Sequence, residues 1–272
     1  MPELPEVEVI KDGLRRKLRN RTIKGVDILF KGSIKNLSPP VFGKRMLGRK
    51  FEDVSRRGKF LIFSLDNGSF LIIHLRMTGQ LTYCPSNEEA DKYLCLKFIL
   101  DNGYQLRFMD MRRFGVVYLV KKLEEITTLA NLGPEPLESN FTALSLEEIL
   151  KGQKKKVKIV LMDQNLIAGI GNIYATEALY QAKINPERKA NQLTEAEVKE
   201  LHRAIRDILQ RSISARGTST DNYRDAEGKK GNFQYQLQVY QRGGEPCSRC
   251  GAKISQIKIS GRSTYFCPSC QK

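Results

Sequence analysis

The sequence predicts an α+β protein with an N-terminal antiparallel β-sandwich, a flanking helix, a helical C-terminal domain and a final β-hairpin. Apolar runs flank Asp66-Asn67-Gly68 and again Asp101-Asn102-Gly103, and such turns between short strands are typical of β-hairpins. Beyond residue 140 the apolar residues recur at helical spacing. Residues 247–270 return to a strand–turn–strand pattern, which is enclosed by two pairs of cysteines.

The first helix is predicted from Pro5 and Glu6, which suit a first helical turn. The apolar residues that follow recur at helical spacing: Val7, Ile10, Leu14 and Leu18. Residues 22–120 then have the pattern of short strands, of which FGVVYLV at 114–120 is the last. Several short strands with regular turns favour a sandwich or a barrel.

A change of character after residue 130 marks a domain boundary, because NLGPEPLESN contains two prolines and a glycine. Helices are predicted beyond it at 144–150, at 157–162, from Asn172, and after Thr194, where Glu197 completes a capping box. We therefore predict four segments: an N-terminal domain over 1–130, a linker over 131–150, a helical domain over 151–236 that includes a polar loop at 214–236, and a finger over 237–272.

The charge of the chain indicates a polyanionic partner. Lysine and arginine number 46 against 30 acids, a formal net charge of +16. KGQKKKVK at 151–158 holds five lysines, and residues 229–272 hold eight basic residues against one acid, Glu245. One basic run is as often a solvated surface as a binding site, but several separated runs favour nucleic acid over an anionic membrane.

Neither a membrane nor a secretory location is indicated. The sequence has no run of 18 apolar residues, and its first 20 residues lack the apolar centre of a signal peptide. We expect a cytoplasmic protein that acts as a monomer. Cys84 and Cys95 are therefore interpreted as small core residues and not as a disulfide.

The strongest chemical signal is the spacing of Cys247, Cys250, Cys267 and Cys270. Two Cys-x-x-Cys pairs fit a closed tetrahedral zinc site, whereas a redox motif needs only one pair and a disulfide needs an oxidising compartment. Four cysteine ligands leave no open position for water, so the zinc is predicted to be structural. The residues between the pairs form a predicted hairpin whose tip carries Arg262, either as an exposed turn residue or as a phosphate contact.

Two further segments allow a functional and a purely structural interpretation. Gly169 and Gly171 precede a predicted helix that starts at Asn172. This suits a phosphate at a helix N-terminus, but taken alone it favours a packing turn. Lys59 lies at the entrance to a strand beside two arginines. It is either an ordinary exposed lysine or a group that transfers protons.

Several segments of the sequence, taken in their order along the chain, resemble the bacterial formamidopyrimidine-DNA glycosylase family. The resemblance spans essentially the whole chain. The matching segments are MPELPEVEVI, SRRGKFLIF, HLRMTGQL, DMRRFG, LGPEPL, MDQNLIAGIGNIYATEAL and GRSTYFCPSCQK. The resemblance implies a β-sandwich, a helix–two-turn–helix domain and a zinc finger. It also implies a base-excision repair enzyme that binds double-stranded DNA with an oxidised base, removes oxidised purines and cleaves the strand by β,δ-elimination.

The resemblance assigns catalytic roles by position. Pro2, exposed when Met1 is removed, corresponds to the nucleophile that forms a Schiff base with the sugar. Glu3 corresponds to the proton donor and acceptor at the sugar. Lys59 corresponds to the proton donor for β-elimination, and Arg262 to the one for δ-elimination.

The resemblance also assigns DNA contacts. Met77, Arg112 and Phe114 correspond to residues that fill the space left by the flipped nucleotide. Further residues correspond to the family's phosphate contacts or to its strand histidine: Lys158, Asn172 and His74. The 217–235 stretch corresponds to the loop over the flipped base.

The sequence departs from the family pattern where many members carry a His-rich segment before the strand at 94–100. Here ADKY stands at 90–93, so Lys92 or Tyr93 is the candidate replacement for a DNA-contacting histidine. Two rival functions stay open. One is an endonuclease VIII-like glycosylase for oxidised pyrimidines, although Leu4 and DMRRFG favour the formamidopyrimidine side. The other is a non-catalytic zinc-finger DNA-binding protein.

Overall fold

The computed structural model describes residues 1–89, 91–220 and 222–272. They form two compact units. The first, here called the sandwich unit, comprises residues 1–130 and 215–234, and the second, the helical unit, comprises residues 131–214 and 235–272. The predicted 151–236 segment is thus divided between them. Residues 215–234 group with the sandwich unit because their backbone bonds there: the Tyr83 amide, for example, donates to the Ala226 carbonyl at 2.8 Å.

The sandwich unit consists of two four-stranded antiparallel sheets, which confirms the predicted fold class. Its elements are α1 (Leu4–Leu18), β1 (Ile23–Ile28), α2 (Pro39–Met46), β2 (Phe51–Arg57), β3 (Phe60–Leu65), β4 (Phe70–His74), β5 (Gly79–Pro85), β6 (Leu94–Leu100), β7 (Tyr104–Asp110), β8 (Val116–Val120) and the short α3 (Thr127–Ala130). One sheet has the order β1-β6-β7-β5 and the other β2-β3-β4-β8.

Both hairpin turns predicted from sequence are present. Gly68 between β3 and β4 has φ 73°, and Gly103 between β6 and β7 has φ 79°, a left-handed conformation that glycine adopts without steric cost. The helix α2 was not predicted. Its signal was Pro39-Pro40, because proline suits the first helical positions, but the strand pattern around it dominated.

The core of the sandwich unit lies between the sheets and α1. The apolar stripe predicted for α1 is fully buried, and the helix packs against β2, β3 and β5. Aromatic residues from both sheets meet in the centre. The Phe51 ring lies 5.8 Å from Phe63 and 6.4 Å from Phe98, measured between centroids, in the tilted and edge-on geometries that aromatic pairs prefer.

The helical unit contains all four predicted helices and the predicted hairpin. Its elements are α4 (Ala143–Lys151), α5 (Val157–Met162), α6 (Asn172–Gln181), α7 (Glu195–Ser214), β9 (Ser255–Ile259) and β10 (Arg262–Phe266). α7 starts with the predicted capping box, in which the Thr194 amide donates to the Glu197 carboxylate at 2.8 Å. Among the described residues, no helix has the length and apolarity needed to cross a membrane.

Candidate functional site

Met77, Arg112 and Phe114 lie together on the sandwich unit and are here called the wedge cluster. The Arg112 guanidinium lies 4.7 Å from the centre of the Phe114 ring, and its Nη1 donates to the Met77 sulfur at 3.2 Å. Met77 is 44% exposed and Phe114 52% exposed. The structure thus brings three predicted DNA-contacting residues together. Exposed large apolar side chains beside a cation suit insertion between bases.

His74, at the end of β4, supports the turn that leads to Met77. Its Nδ1 accepts a hydrogen bond of 3.0 Å from the backbone amide of Arg76, and its ring meets Phe60 edge-on at 4.6 Å. Burial, with the positive charges of Arg76 and Lys59, lowers the pKa of His74 to about 3. The imidazole is therefore neutral, which the acceptor role of Nδ1 requires. A direct contact of His74 with DNA stays a prediction.

The N-terminal residues are held in place by a second glutamate. Pro2 and Glu3 are buried, and Glu3 precedes α1 in extended conformation, where its backbone amide donates to Glu6 Oε2 at 2.8 Å. The other oxygen of Glu6 accepts from the Thr218 amide at 2.8 Å. Glu6 was not predicted as a site residue. The signal was its position three residues after the helix cap, as in a capping box.

Lys59 lies in the turn between β2 and β3 and is buried. The preceding Gly58 has φ 54°. Arg56 connects this turn to the first helix, because its Nε donates to Glu8 Oε2 at 2.7 Å while its Nη1 donates to the Gly58 carbonyl at 2.9 Å. Arg56 therefore ties the backbone beside Lys59 to the helix that begins after Pro2 and Glu3.

Tyr93 is half-buried in the turn directly before β6. The Lys92 ammonium lies 5.0 Å from the centre of its ring, and the Tyr93 carbonyl accepts from the Asp110 amide at 2.9 Å. Of the ADKY departure from the family pattern, Ala90 lies outside the described residues. A DNA contact by Tyr93 stays a prediction.

In the helical unit, Lys158, Asn172 and Arg262 converge on β10. Lys158 Nζ donates to Thr264 Oγ1 at 2.7 Å, and Asn172 Nδ2 donates to the Ser263 carbonyl at 3.0 Å. Arg262, the first residue of β10, is exposed beside the tip of the hairpin. Residues predicted from distant segments thus meet at three consecutive positions of one strand.

The turn before α6 is organised by Gln164, which was not predicted. Its side-chain nitrogen donates to the carbonyls of Met162 and Ile170, both at 2.8 Å, and its oxygen accepts from the Gly169 amide at 2.9 Å. Gly169 has φ 84°, which favours glycine. These bonds shape the loop whose end places Asn172 at the helix N-terminus.

The four cysteines form a compact cluster. All four sulfur atoms lie within 4.8 Å of one another, with separations of 3.9 Å for Cys247–Cys270 and 3.5 Å for Cys250–Cys267. Tetrahedral Zn–S bonds of about 2.3 Å place sulfurs about 3.8 Å apart. The cluster therefore fits one structural zinc, as predicted.

Groups around the cluster complement thiolate ligands. The Arg249 amide approaches the Cys247 sulfur at 3.4 Å, and the Cys270 amide approaches the Cys267 sulfur at the same distance. The Tyr180 hydroxyl lies 3.2 Å from the Cys247 sulfur. Such outer contacts orient metal ligands. Between the cysteine pairs, Ser260 and Gly261 both have positive φ, as a tight two-residue hairpin turn requires.

The polar loop predicted at 214–236 is internally bonded over its described residues. Arg216 Nη2 forms an ion pair of 2.5 Å with the buried Asp225 carboxylate, and the Asn232 amide donates to the Ala215 carbonyl at 2.9 Å. Asp221, part of the segment that departs from the family spelling, lies outside the described residues. Asp225 was not predicted as a site residue. The sequence offered only a weak signal, namely an acidic residue between two glycine-bearing stretches.

Comparison with known families decides what this arrangement belongs to. Residues 1–117 match the formamidopyrimidine-DNA glycosylase N-terminal domain, residues 132–223 the formamidopyrimidine-DNA glycosylase H2TH domain, and residues 244–272 a zinc finger found in FPG and IleRS. The chain belongs to the formamidopyrimidine-DNA glycosylase family. The predicted family resemblance is thereby confirmed.

Two relatives from this glycosylase family match this chain over nearly their full length. A formamidopyrimidine-DNA glycosylase of Pelotomaculum thermopropionicum is 46% identical over 100% of this chain and 99% of the relative. One from Desulfitobacterium hafniense is 45% identical over 100% of both chains.

Solved structures of the glycosylase family show the same fold. A point mutant of Lactococcus lactis FPG in complex with Fapy-dG-containing DNA has a TM-score of 0.93 at 37% identity, with 100% of both chains covered. A complex of the Lactococcus lactis protein with abasic-site DNA gives 0.93 at 37% identity over 99% of both chains. Its wild-type complex with oxidised-pyrimidine DNA gives 0.92 at 37% identity over 100% of both.

Proposed function

We propose that this chain is a bifunctional DNA glycosylase and AP lyase that removes oxidised purines, 8-oxoguanine and formamidopyrimidines, from double-stranded DNA. The observation that carries the proposal is the Arg56 bridge. It ties the Lys59 turn to the helix that begins behind Pro2 and Glu3, in a chain of the formamidopyrimidine-DNA glycosylase family. Complexes of family members with Fapy-dG and abasic-site DNA support the substrate class.

The chemistry begins at Pro2 once Met1 is removed. An α-amino group has a pKa of about 7.7–8.0, so a fraction of the protein molecules carries the neutral amine near neutral pH. Its nitrogen forms a bond to the deoxyribose C1′ while the bond from C1′ to the damaged base breaks, and the leaving base takes a proton. Glu3 handles protons at the sugar, where its carboxylate lies at the positive end of α1.

A secondary amine makes the later steps possible. Its adduct with C1′ becomes an iminium when the C1′–O4′ bond of the sugar ring breaks and O4′ takes a proton. Because this iminium cannot lose its charge by deprotonation at nitrogen, it withdraws electrons and acidifies the C2′ proton. Loss of that proton expels the 3′ phosphate in β-elimination, and a second elimination expels the 5′ phosphate. Lys59 is the proposed proton donor for the first elimination and Arg262 for the second.

The remaining residues bind and shape the DNA. The wedge cluster fills the space left by the flipped nucleotide, because the reacting C1′ is inaccessible inside the base stack. Lys158, Asn172 and Arg262 are proposed phosphate contacts near β10, and Tyr93 and His74 complete the proposed interface. The enzyme is proposed to act as a monomer in the bacterial cytoplasm, bound to the chromosome through its basic surface.

Borohydride trapping tests the proposal. Reaction of the protein with an 8-oxoguanine duplex in borohydride is expected to give a covalent adduct, and peptide sequencing is expected to place it at Pro2. Pro2→Gly should weaken trapping and Glu3→Gln should abolish removal of the intact base. Glu52→Gln, an exposed glutamate of β2, is the matched control and should behave as wild type. An adduct at Lys59 with Pro2 unmodified would contradict the assignment.

One relative indicates a second substrate class that should be measured alongside 8-oxoguanine. The wild-type Lactococcus lactis FPG has been captured with an oxidised-pyrimidine DNA, which is the substrate of the endonuclease VIII-like alternative. Rates on 8-oxoguanine and on an oxidised pyrimidine in the same duplex context decide between the two. Faster excision of the purine is the expected result. DNA binding without excision of either base would support the non-catalytic alternative.

A further inference from the structure

One buried carboxylate connects the two turns that carry the wedge cluster. Asp110, at the end of β7, is 1% exposed. Its Oδ1 accepts from the Thr78 hydroxyl and from the Arg112 amide at 3.2 Å, while its Oδ2 accepts from the Gly115 amide at 2.6 Å. Thr78 directly follows Met77. Arg112 begins the Arg112–Phe114 turn, and Gly115 directly follows that turn. One carboxylate therefore bonds to both turns.

The connection is strengthened by a second bond. The Thr78 hydroxyl, which donates to Asp110, also lies 3.0 Å from the Arg112 amide as its acceptor. Thr78 therefore bridges from the Met77 turn to the start of the Arg112–Phe114 turn. Only a group that both donates and accepts hydrogen bonds can form both contacts. A hydroxyl can do so, and a methyl group cannot.

The turns need such support because their backbone is unfavourable. Arg76, before Met77, has φ 54°, and Arg113, between Arg112 and Phe114, has φ 58°. Residues with a side chain rarely adopt this left-handed region unless their surroundings hold them there. Gly115 is required at its position, because a Cβ there would lie 2.5 Å from the Phe108 ring and 3.1 Å from Asp110 Oδ2.

We propose that Asp110 is a positioning residue that holds Met77, Arg112 and Phe114 as one rigid wedge, with Thr78 as its partner. A rigid wedge enters the base stack without first losing side-chain and backbone freedom, so less binding free energy is spent on ordering it. The inference rests on the proposed function in one respect, namely that the wedge cluster enters damaged DNA.

The test measures insertion separately from catalysis. A duplex carries a tetrahydrofuran abasic analogue, which cannot be excised, and 2-aminopurine opposite it, whose fluorescence rises when it is unstacked. Wild type, Asp110→Asn, Thr78→Val and Thr78→Ser are compared at saturating protein. Asp27→Asn is the matched control, because Asp27 is an exposed acid of the same unit that pairs with Lys97 at the surface.

Wild type, Thr78→Ser and Asp27→Asn are expected to raise the fluorescence equally, and Asp110→Asn and Thr78→Val are expected to lose most of the rise. An asparagine at 110 supplies one acceptor oxygen where the carboxylate supplies two. Single-turnover excision of 8-oxoguanine should fall about tenfold in both variants on a paired duplex, the effect of one lost hydrogen bond to a charged group. It should fall much less when the lesion lies in an unpaired bubble.

Equal fluorescence in all five proteins, or an equal loss of rate on the paired and bubble substrates, would overturn the positioning role. Thermal unfolding accompanies each variant, and if Asp110→Asn does not fold, the Thr78→Val and Thr78→Ser pair decides. A third outcome separates the two proposals. If wild type raises the fluorescence and Asp110→Asn does not, but wild type excises no base, the proposed function is refuted and the positioning role is kept.

Discussion

The ammonium of Lys158 donates to the hydroxyl of Thr264 at 2.7 Å, and both residues are 0% exposed. This bond joins α5 to the second strand of the zinc-finger hairpin inside the helical unit. It places a positive charge two residues along β10 from the exposed Arg262. The basic run at 151–158, which sequence alone could equally assign to a solvated surface, therefore contributes one lysine to the interior of the unit.

We expect this buried charge to contribute to DNA affinity. Roughly five phosphate contacts give a slope of about −4 to −5 for log affinity against log salt concentration. Lys158→Met, which keeps much of the side-chain volume, should reduce the steepness by about one. Binding isotherms at four salt concentrations measure it. Lys154→Met, at an exposed lysine of the same run, is the control, and an unchanged slope in Lys158→Met would restrict Lys158 to a structural role.

Removal of zinc should disorder the finger and leave the sandwich unit folded. Structural zinc contributes folding free energy on the order of 10 kcal/mol in isolated fingers. We expect one zinc per chain by metal analysis, and Cys267→Ser should cost more DNA affinity than it costs unfolding free energy in residues 1–130. Cys84→Ser, outside the cluster, is the comparison for loss of a thiol. Full DNA affinity in protein without zinc would be inconsistent with this role.

Excision should depend on the base opposite the lesion. Arg112 presents only hydrogen-bond donors, which match the neighbouring acceptors N3 and O2 of cytosine, whereas adenine presents its N6 donor beside N1. We expect faster excision of 8-oxoguanine opposite cytosine than opposite adenine, with one good polar contact worth roughly 1–3 kcal/mol.

Two variants separate this readout from insertion. Arg112→Ala should flatten the ratio of the two rates, and Phe114→Ala should slow both substrates, in single-turnover experiments. Equal wild-type rates opposite both bases would show that Arg112 does not read the opposite base.

The stability of the sandwich unit should fall in acid because of His74. Its folded pKa of about 3 lies below the ordinary 6.5, so between these values the unfolded chain binds a proton that the folded chain does not. The contribution of neutral His74 to the free energy of unfolding is therefore fully present above about pH 6.5. It is lost as the pH falls toward 3, at up to about 1.4 kcal/mol per pH unit.

Denaturant unfolding between pH 4 and 7 measures the effect. His74→Asn, whose side-chain oxygen can still accept from the Arg76 amide, should lose less stability on acidification than wild type. His202→Gln in the helical unit is the histidine control. A His74 resonance that titrates near pH 6.5 in the folded protein would refute the prediction.

Local signals were sufficient for elements that satisfy their own bonds. The two Asp-Asn-Gly turns, the α7 capping box and the cysteine spacing each determine structure within a few residues, so the sequence predicted them. α2 was missed because its Pro-Pro start lies within a strand-rich region. Gln164, Asp225 and Glu6 were missed because a polar side chain's partners across the fold leave no periodic pattern in sequence.

By itself, the sequence determined the α+β class, the strand and helix order, the four zinc ligands and the family. These depend on spacing, turn chemistry and composition, which act over short distances along the chain. The tertiary structure decided what those features do together. It brought Lys158, Asn172 and Arg262 to one strand, grouped residues 215–234 with the sandwich unit, and placed the Asp110 carboxylate beneath both wedge turns. Such contacts join residues far apart in sequence, and the buried hydrogen bonds that stabilise them exist only once the chain has packed.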